Sequence, residues 1–332
     1  MSRTILQIHS RGAAFLICLT ALNPIKKIIK YPNRLTSAGK SIDRGTKEKL
    51  AQLKNDGCIV LPDAIQPERL ALIQQIYLKE LEGKCHFETP CLGQNLISAE
   101  KHRHLIDRHF LCSRKELEEN KLTFSLKPGD TYTETIARYN PSTVKVYVSQ
   151  MQELINDWLN EDVLKIVEAY MGVKPYLEEA YIRRNYPARF KVMNHFWHRD
   201  VNQPDYILKA FIFLSDCSIE NGPHEFILGS VNSGLFPGGD YFPDSEIDAA
   251  YPPGSQNRLR SVVKAGTIIL EDTTGLHRAM VPERGYRDLG YAVFVPRPFY
   301  AMRHKPLYTI SRTAFEQLNP YQQQFVPSEN IG

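Results

Sequence analysis

The sequence predicts an α+β fold in which helices of the first half of the chain flank a β-rich second half. Apolar residues recur at helical spacing between residues 46 and 83. Short runs rich in β-branched and aromatic residues, separated by turn signals, follow between residues 178 and 299. A His-x-Asp sequence lies among these runs, and small barrels hold ligands at their mouths. Together these observations favour a double-stranded β-helix, a cupin-like jelly roll, with N-terminal helices around it.

The first elements have clear boundary signals. Thr46, Leu50 and Leu53 predict a short helix that ends at Gly57, a candidate C-cap. Residues 58–61 then predict a strand. A second helix is expected from Pro67, which suits a first turn, to Gly83.

The middle of the chain divides into two parts. Residues 84–142 are punctuated by Pro and Gly and predict an irregular lid or substrate-entry region. Residues 143–170 predict mainly helix, with an apolar stripe that forms a core face. The stripe consists of Val144, Val148, Met151, Ile155 and Trp158.

The second half predicts strands. Residues 206–214 form one strand-like run, and Asn221-Gly222-Pro223 is a turn signal after it. Residues 262–270 predict two short strands broken at Gly266, and another strand follows from residue 287 to 295. Residues 300–332 predict a polar tail in which Thr313 and Glu316 are a candidate capping box.

The domain organisation expected from these elements has three parts. Residues 1–45 form a basic N-terminal extension, residues 46–299 a single catalytic domain and residues 300–332 the tail. Within the domain, residues 46–177 would supply the helices and lid, and residues 178–299 the jelly roll.

His198 and Asp200 form the most informative pair. Residues i and i+2 of a strand point to the same face, about 6–7 Å apart at their Cα atoms. One imidazole and one carboxylate can therefore share an ion, and His277, just beyond a predicted strand end, is a candidate third ligand. Two histidines and one carboxylate on one face of a metal leave the other face open, as in non-heme Fe(II) oxygenases.

The order of motifs around these residues resembles the phytanoyl-CoA dioxygenase family of Fe(II)- and 2-oxoglutarate-dependent oxygenases. The resemblance covers roughly residues 46–298. The motifs that carry it are Asp56-Gly57-Cys58-Ile59-Val60-Leu61, Trp197-His198-Arg199-Asp200, the strand to Leu214, Glu220-Asn221-Gly222-Pro223, Leu228-Gly229-Ser230, Ala265-Gly266-Thr267, His277-Arg278 and Arg287.

The resemblance implies roles for five residues. His198, Asp200 and His277 would hold Fe(II). Arg287 would pair with the distal carboxylate of 2-oxoglutarate, which a guanidinium can bind in bidentate fashion. Phe211 would place an apolar side chain against this cosubstrate.

Two features leave parts of the resemblance open. Arg284 competes with Arg287 for the cosubstrate, because the spacing after the distal histidine varies in the family. The family often has Pro-Gly-Ser-His where this chain has Leu228-Gly229-Ser230-Val231. A polar group that some members of the family present to their substrate is therefore missing, so the resemblance does not identify the substrate of this chain.

The activity implied is hydroxylation of a small organic substrate, with O2 consumed and succinate and CO2 released from 2-oxoglutarate. Asp200 favours hydroxylation or another oxidation over halogenation, since related halogenases have a small apolar residue there. Two alternatives stay open: a cupin-type metalloenzyme that does not use 2-oxoglutarate, and a non-catalytic binding module with the same fold. His195 is interpreted as structural or as an outer partner of the site, and His224 as a core or loop histidine.

A second group of Cys and His residues falls within residues 85–112. It lacks the close C-x2-C or H-x3-H pairs of zinc sites. We therefore interpret this stretch as a polar helix or loop that covers the barrel mouth. Its members are Cys85, His86, Cys91, His102, His104, His109 and Cys112.

Charge is unevenly distributed along the chain. Residues 1–44 contain eight Lys and Arg and one acid, so the formal net charge of +4 arises at the N-terminus and the rest is close to neutral. A nearly neutral catalytic region without basic, aromatic-interleaved patches argues against nucleic acid as a partner. The six cysteines show no compact disulfide framework, which favours a reducing, cytoplasmic location.

The N-terminus has alternative interpretations. Its apolar run, residues 13–22, is too short to span a bilayer, which takes about 20 residues. An appended helix is the simplest interpretation. A targeting leader for an organelle or for export, or a helix that contacts a membrane surface, is the alternative.

Overall fold

The computed structural model of the chain describes residues 42–83, 87, 91–200, 207–237, 241–296 and 306–332. The apolar run at residues 13–22, Cys85 and His86 lie outside the described residues. Among the described residues, no helix has both the length and the apolar character needed to cross a membrane.

Ten α-helices occur in the described ranges. They are α1 Arg44–Asp56, α2 Pro67–Gly83, α3 Arg103–Ile106, α4 Arg114–Glu119, α5 Tyr132–Tyr139, α6 Ile155–Trp158, α7 Glu161–Met171, α8 Asp244–Ala250, α9 Arg312–Glu316 and α10 Pro320–Gln323.

The same ranges contain eleven strands. They are β1 Cys58–Leu61, β2 Cys91–Leu92, β3 Thr123–Phe124, β4 Thr143–Tyr147, β5 Pro175–Asn185, β6 Leu208–Phe213, β7 His224–Ile227, β8 Arg258–Arg260, β9 Ile268–Asp272, β10 His277–Ala279 and β11 Arg287–Pro296.

Two antiparallel sheets form the core. The large sheet has the strand order β1-β9-β6-β11-β5-β4, and the small sheet has the order β10-β7-β8. Phe226 of the small sheet packs with Phe211 and Phe213 of the large sheet in one buried cluster, so the two sheets face each other. Two facing antiparallel sheets, flanked by N-terminal helices, confirm the predicted α+β jelly roll.

The other face of the large sheet packs against the helices. Alternate strand residues such as Ile59, Ile212 and Leu270 join Leu53, Ile73 and other helical side chains in the largest buried cluster. The sheet therefore has an inner face toward the small sheet and an outer face toward the helices, and neighbouring residues of each strand alternate between them.

The first two helices follow the sequence signals. Asp43 caps α1 by accepting a hydrogen bond from the Thr46 backbone N–H, and Gly57 ends the helix at φ +78°. A side chain at Gly57 would also meet Val231 at 2.5 Å, so glycine is required for both conformation and packing. The bounds of α2 are those expected from Pro67 and Gly83.

The prediction for residues 143–170 was wrong at its start. Residues 143–147 form β4, with Val144 and Val146 buried and Thr143, Lys145 and Tyr147 on the other face. The period-2 alternation of this segment therefore prevails over the i, i+4 spacing of Val144 and Val148. Two short 3-10 helices, Val148–Gln150 and Gln152–Leu154, follow the strand, and α-helix begins at Ile155, in α6.

Three other boundaries differ from the sequence analysis. Residues 84–142 contain the short helices α3, α4 and α5 as well as irregular chain. Before Gly266 there is an isolated bridge between Val263 and Cys217, and only β9 after it is a strand. Ser311, not Thr313, caps α9.

The C-terminal segment is part of the packed core. The Tyr308 hydroxyl donates to the Leu177 carbonyl oxygen over 3.1 Å, and the Leu177 N–H donates to the Phe325 carbonyl oxygen over 2.8 Å. Tyr308, Phe325 and Val326 are buried in the largest cluster. This segment therefore secures the outer side of β5.

Candidate metal site

His198, Asp200 and His277 come together between the two sheets. The backbone of His198 pairs with that of His277, with N–H to oxygen distances of 2.9 and 3.0 Å. The Asp200 N–H donates to the Thr273 carbonyl oxygen over 2.9 Å. Backbone pairing thus fixes the His-x-Asp segment against β10 and the turn before it.

The ligand atoms of these three side chains all lie within 4.8 Å of one another. His198 Nε2 is 3.8 Å from Asp200 Oδ1, and His277 Nε2 is 3.7 Å from Asp200 Oδ2. Two donors that each bind one ion at about 2.1 Å lie at most about 4.2 Å apart. The separations from Asp200 to each histidine therefore fit a single shared ion.

Hydrogen bonds set the tautomers of both histidines. Nδ1 of His198 is 2.8 Å from the Phe196 carbonyl oxygen, and Nδ1 of His277 is 2.9 Å from the Gly275 carbonyl oxygen. A carbonyl oxygen only accepts, so each Nδ1 carries the proton and each Nε2 keeps a lone pair. Burial lowers the pKa of both imidazoles, which keeps them neutral and able to bind a metal.

Asp200 stays ionised despite its burial. Burial alone would raise the pKa of this carboxyl, but the nearby Lys209 ammonium outweighs burial and holds the pKa well below its usual range. Lys209 Nζ lies 2.6 Å from Asp200 Oδ2. The site therefore offers one anionic and two neutral donors, a set that suits Fe(II).

Arg287 is buried on the inner face at the start of β11, where it is 0% exposed. Its Nη2 donates to Asn185 Oδ1 over 3.3 Å, while Nε and Nη1 have no acceptor among the described residues. Burial of a cation whose N–H donors lack acceptors costs free energy unless an anion accepts those hydrogen bonds. Arg284, the competing arginine, has an 80% exposed side chain beside Glu220.

Phe211 lies on the same inner face in β6. Its ring makes an edge contact with Tyr291 at a centroid distance of 5.1 Å and lies 4.7 Å from the His224 ring. The His224 ring is in turn 5.3 Å from the His277 ring. Phe211 therefore forms an apolar wall between Tyr291 and the histidines.

Two charged side chains beside the three candidate ligands, Lys209 and Glu271, are not among the residues predicted from the sequence. Lys209 and Glu271 are direct partners in the β6–β9 register, and the Glu271 carboxylate lies 2.9 Å from His224 Nδ1. Burial raises the pKa of Glu271 well above its usual value. The signal was present in the strand alternation, because Lys209 shares a face with Phe211 and Phe213.

Arg199 ties the His-x-Asp segment to its surroundings. Its guanidinium donates to the carbonyl oxygens of Phe236 at 2.7 Å and Leu235 at 2.9 Å, and also to that of Thr274. The residue between the two candidate ligands thus joins the loop at residues 233–236 to the turn before His277. It positions the site without facing it.

The other histidines have separate contacts. His195 is buried, and its Nδ1 accepts a hydrogen bond from the Val192 N–H over 3.1 Å. His102 Nδ1 accepts from the Ser98 N–H, and the His109 ring stacks on Phe196 at 3.8 Å. Among the described residues, His198, Asp200 and His277 are the one group with metal-site geometry.

The described part of the Cys/His stretch is close to the barrel mouth. Cys91 and Phe110 line a cavity beside β4 and β5, and His109 packs against the segment that leads to His198. Cys58, Cys91, Cys112 and Cys217 are free thiols.

Comparison with known proteins gives structural likenesses only. No protein-family model and no characterised protein matches the sequence, so the resemblance to the phytanoyl-CoA dioxygenase family stays a prediction from motifs. The solved structures include the non-heme α-ketoglutarate-dependent carbocyclase SnoK from nogalamycin biosynthesis. It is 13% identical, with 77% of this chain and 85% of that chain covered at a TM-score of 0.47.

Two further structures are similar. HygX from Streptomyces hygroscopicus, with nickel, 2-oxoglutarate and hygromycin B bound, is 14% identical, with 78% and 89% of the two chains covered and a TM-score of 0.44. The apoform of EctD from S. alaskensis is 18% identical, with 79% and 82% covered and a TM-score of 0.49. All these scores lie below 0.5, so the function has to be derived from the site itself.

Proposed function

We propose that this protein is an Fe(II)- and 2-oxoglutarate-dependent dioxygenase that hydroxylates a small organic substrate. The observation that carries the proposal is the convergence of His198, Asp200 and His277, with both Nδ1 atoms tied to backbone carbonyls. This leaves two Nε2 lone pairs and one carboxylate directed at a common point. Three protein donors leave other coordination positions open for a bidentate 2-oxo acid and for O2.

Arg287 supports the choice of a carboxylate-bearing cosubstrate. Two of its guanidinium nitrogens have no protein acceptor among the described residues, and the side chain is buried on the inner face that carries Phe211. A guanidinium matches a carboxylate in bidentate geometry and remains charged when buried. A cupin-type metalloenzyme without 2-oxoglutarate would have no need of such a group.

When bound, the iron would activate O2 as the oxidant, and 2-oxoglutarate would supply two electrons and take up one oxygen atom as it is converted to succinate and CO2, while the other oxygen atom would enter the substrate. The chain itself has three tasks. His198, Asp200 and His277 hold the metal, Arg287 orients the cosubstrate, and the aromatic wall at Phe211 and Tyr291 excludes water. Lys209 pairs with the oxygen Oδ2 of Asp200 and keeps the carboxylate oriented.

The test is a visible charge-transfer band in the anaerobic protein with Fe(II) and 2-oxoglutarate. The wild-type protein should show a weak band, and Asp200→Ala should remove it because the anionic donor is lost. The matched control is Asp216→Ala, which removes a carboxylate that is paired with Lys264 at the surface. This control should retain the band.

Succinate formation across a panel of small organic substrates provides the second readout. Absence of the band in wild-type protein at saturating Fe(II) and 2-oxoglutarate would contradict the proposal. A band in the Asp200→Ala variant equal to that of the wild type would contradict the assignment of the carboxylate ligand.

A further inference from the structure

A cavity of about 630 Å³ lies beside the β4 and β5 end of the large sheet. Its walls come from these strands, from residues 91–123 and from residues 192–194, which lead toward His198. The volume falls in the range of pockets that bind small organic ligands. The cavity is therefore large enough for a substrate and adjoins the segment that carries the first candidate ligand.

Two cations stand opposite each other in the wall of this cavity. Lys145 of β4 and Arg183 of β5 are direct cross-strand partners and share the inner face. Like charges at such positions destabilise a sheet. Arg114 adds a third cation to the lining, and Glu179 is the one carboxylate among the described lining residues. The lining thus carries three cations and one carboxylate, a balance of charge that favours an anionic ligand.

Both wall cations lie on aromatic rings. Lys145 Nζ is 5.0 Å from the centroid of Tyr181, and Arg183 Cζ is 4.8 Å from the centroid of Tyr291. Cation–π contact holds the two charges in place in the cavity wall. Arg183 also donates to the hydroxyl oxygens of Tyr291 and Tyr181 over 3.5 and 3.4 Å. Leu92, Phe110 and Val192 give the same cavity an apolar surface.

The Tyr181 and Tyr291 rings, which lie behind the wall cations, connect the cavity wall to the candidate metal site. Tyr181 stacks on Tyr291 at a centroid distance of 4.7 Å, and Tyr291 contacts Phe211 at 5.1 Å. Glu179, Val293 and Lys209 form a row across β5, β11 and β6, which spans about 10 Å at normal strand spacing. Lys209 in turn contacts Asp200. The cavity wall at Glu179 is therefore separated from the lysine that contacts Asp200 by the width of two strand spacings.

We propose that the substrate is an organic anion, a carboxylate or phosphate whose charged group binds Lys145 and Arg183 and whose apolar part lies against the apolar side chains of the cavity wall, such as Phe110 and Val192. The identification as substrate rests on the proposed function. The anion binding itself requires neither metal nor 2-oxoglutarate and can be measured separately.

The test is calorimetric titration of metal-free protein with three probes: 3-phenylpropionate, phenyl phosphate and the uncharged 3-phenylpropanamide. At least one anion should bind about tenfold or more tightly than the amide, since charge-assisted hydrogen bonds are stronger than neutral ones. Whichever of the two anions binds more tightly identifies the charged group of the substrate as a carboxylate or a phosphate. The Lys145→Met/Arg183→Met variant should lose the preference.

The matched control is Lys264→Met/Arg284→Met. It removes the same charge from side chains that are 83% and 80% exposed, and it should keep the preference for the anion. Glu179→Gln should tighten anion binding several-fold, because it removes the carboxylate from the lining. If the double variant fails to fold by circular dichroism, Lys145→Met alone serves as the test.

Equal binding of the amide and both anions would overturn the proposal, as would equal loss of preference in the surface control. The charge-transfer band separates this proposal from the proposed function. The Lys145→Met/Arg183→Met variant should retain the band at wild-type 2-oxoglutarate affinity. Loss of 2-oxoglutarate binding with an unchanged anion preference would assign these cations to the cosubstrate and overturn the substrate assignment.

Discussion

Two buried arginines on opposite faces of the large sheet have contrasting surroundings. Arg184, on the outer face of β5, donates to both oxygens of Asp288 over 2.7 and 2.6 Å. Arg287, on the inner face of β11, donates from Nη2 to the neutral Asn185, and its other nitrogens have no acceptor among the described residues. The fold supplies a carboxylate acceptor for the Arg184 guanidinium. The Arg287 guanidinium would need a ligand to supply acceptors for its other two nitrogens.

The contrast extends along the strands. The outer face carries apolar residues such as Ile212 and Leu270, and its carboxylates have partners within the fold, as Asp288 has in Arg184 and Asp272 in the Tyr170 hydroxyl. The inner face carries Lys209, Glu271 and Arg287 among its aromatic residues. Burial of charge is costly. The apolar outer layer therefore supplies the stability that permits a charged interior.

Replacement of Arg184 should cause the largest loss of stability. Arg184→Met leaves the Asp288 carboxylate buried without its partner, which typically costs about 3–5 kcal/mol. Chemical denaturation of the metal-free protein measures the change. Iron affinity of the folded fraction should stay at the wild-type value. A stability loss below about 1 kcal/mol would show that the outer pair is not structural.

Replacement of Arg287 should give the opposite pattern. Arg287→Met removes an incompletely paired buried cation, so the free energy of unfolding should change by less than about 1 kcal/mol or increase. Affinity for 2-oxoglutarate, titrated through the charge-transfer band, should fall about 10²-fold, because two charge-assisted hydrogen bonds are lost. Arg284→Met, at the exposed competing arginine, should leave that affinity unchanged. A larger loss of 2-oxoglutarate affinity in Arg284→Met than in Arg287→Met would assign cosubstrate binding to Arg284.

Arg199 tests whether the candidate ligands depend on the surrounding loops for their geometry. Arg199→Met leaves the carbonyl oxygens of Phe236, Leu235 and Thr274 without this donor. A loss of about 2 kcal/mol in unfolding free energy is expected. Fe(II) affinity should decrease about tenfold, since the His-x-Asp segment loses its anchor. Unchanged Fe(II) affinity in the destabilised variant would assign Arg199 to stability alone.

The fold and the three candidate ligands were predictable from local patterns. Helix α2 has Pro67 and Gly83 at its ends. The His-x-Asp spacing brings His198 and Asp200 close together, although isolated bridges rather than a strand hold that segment. The β4 segment was not recognised, because Val144 and Val148 fit helical spacing as well as alternation. Only its pairing with β5 decides between them.

The rest of the site depends on register, which no local pattern contains. The choice between Arg287 and Arg284 requires the start of β11, where Arg287 pairs with Asn185 and enters the inner face. Lys145 and Arg183 are 38 positions apart in the sequence, yet they are direct neighbours through the β4–β5 pairing. A one-residue shift in either strand would move such a side chain to the other face.

A pH dependence of stability is expected from His195. Burial, with help from nearby cations such as Arg287, lowers the pKa of His195 to about 3. The unfolded chain takes up this proton at about pH 6.5, whereas the folded chain does not. The contribution of His195 to the free energy of unfolding is therefore fully present above pH 6.5. It decreases as the pH falls toward 3, by up to about 1.4 kcal/mol per pH unit.

His195→Asn keeps an acceptor near the Val192 N–H and removes the titrating group. Denaturation of the metal-free variant between pH 7 and 4 should give a shallower loss of stability than the wild type, with His104→Asn as the surface control. Both proteins retain His198 and His277, so the difference between their slopes isolates His195. Identical slopes would mean that His195 gains a proton in the folded state.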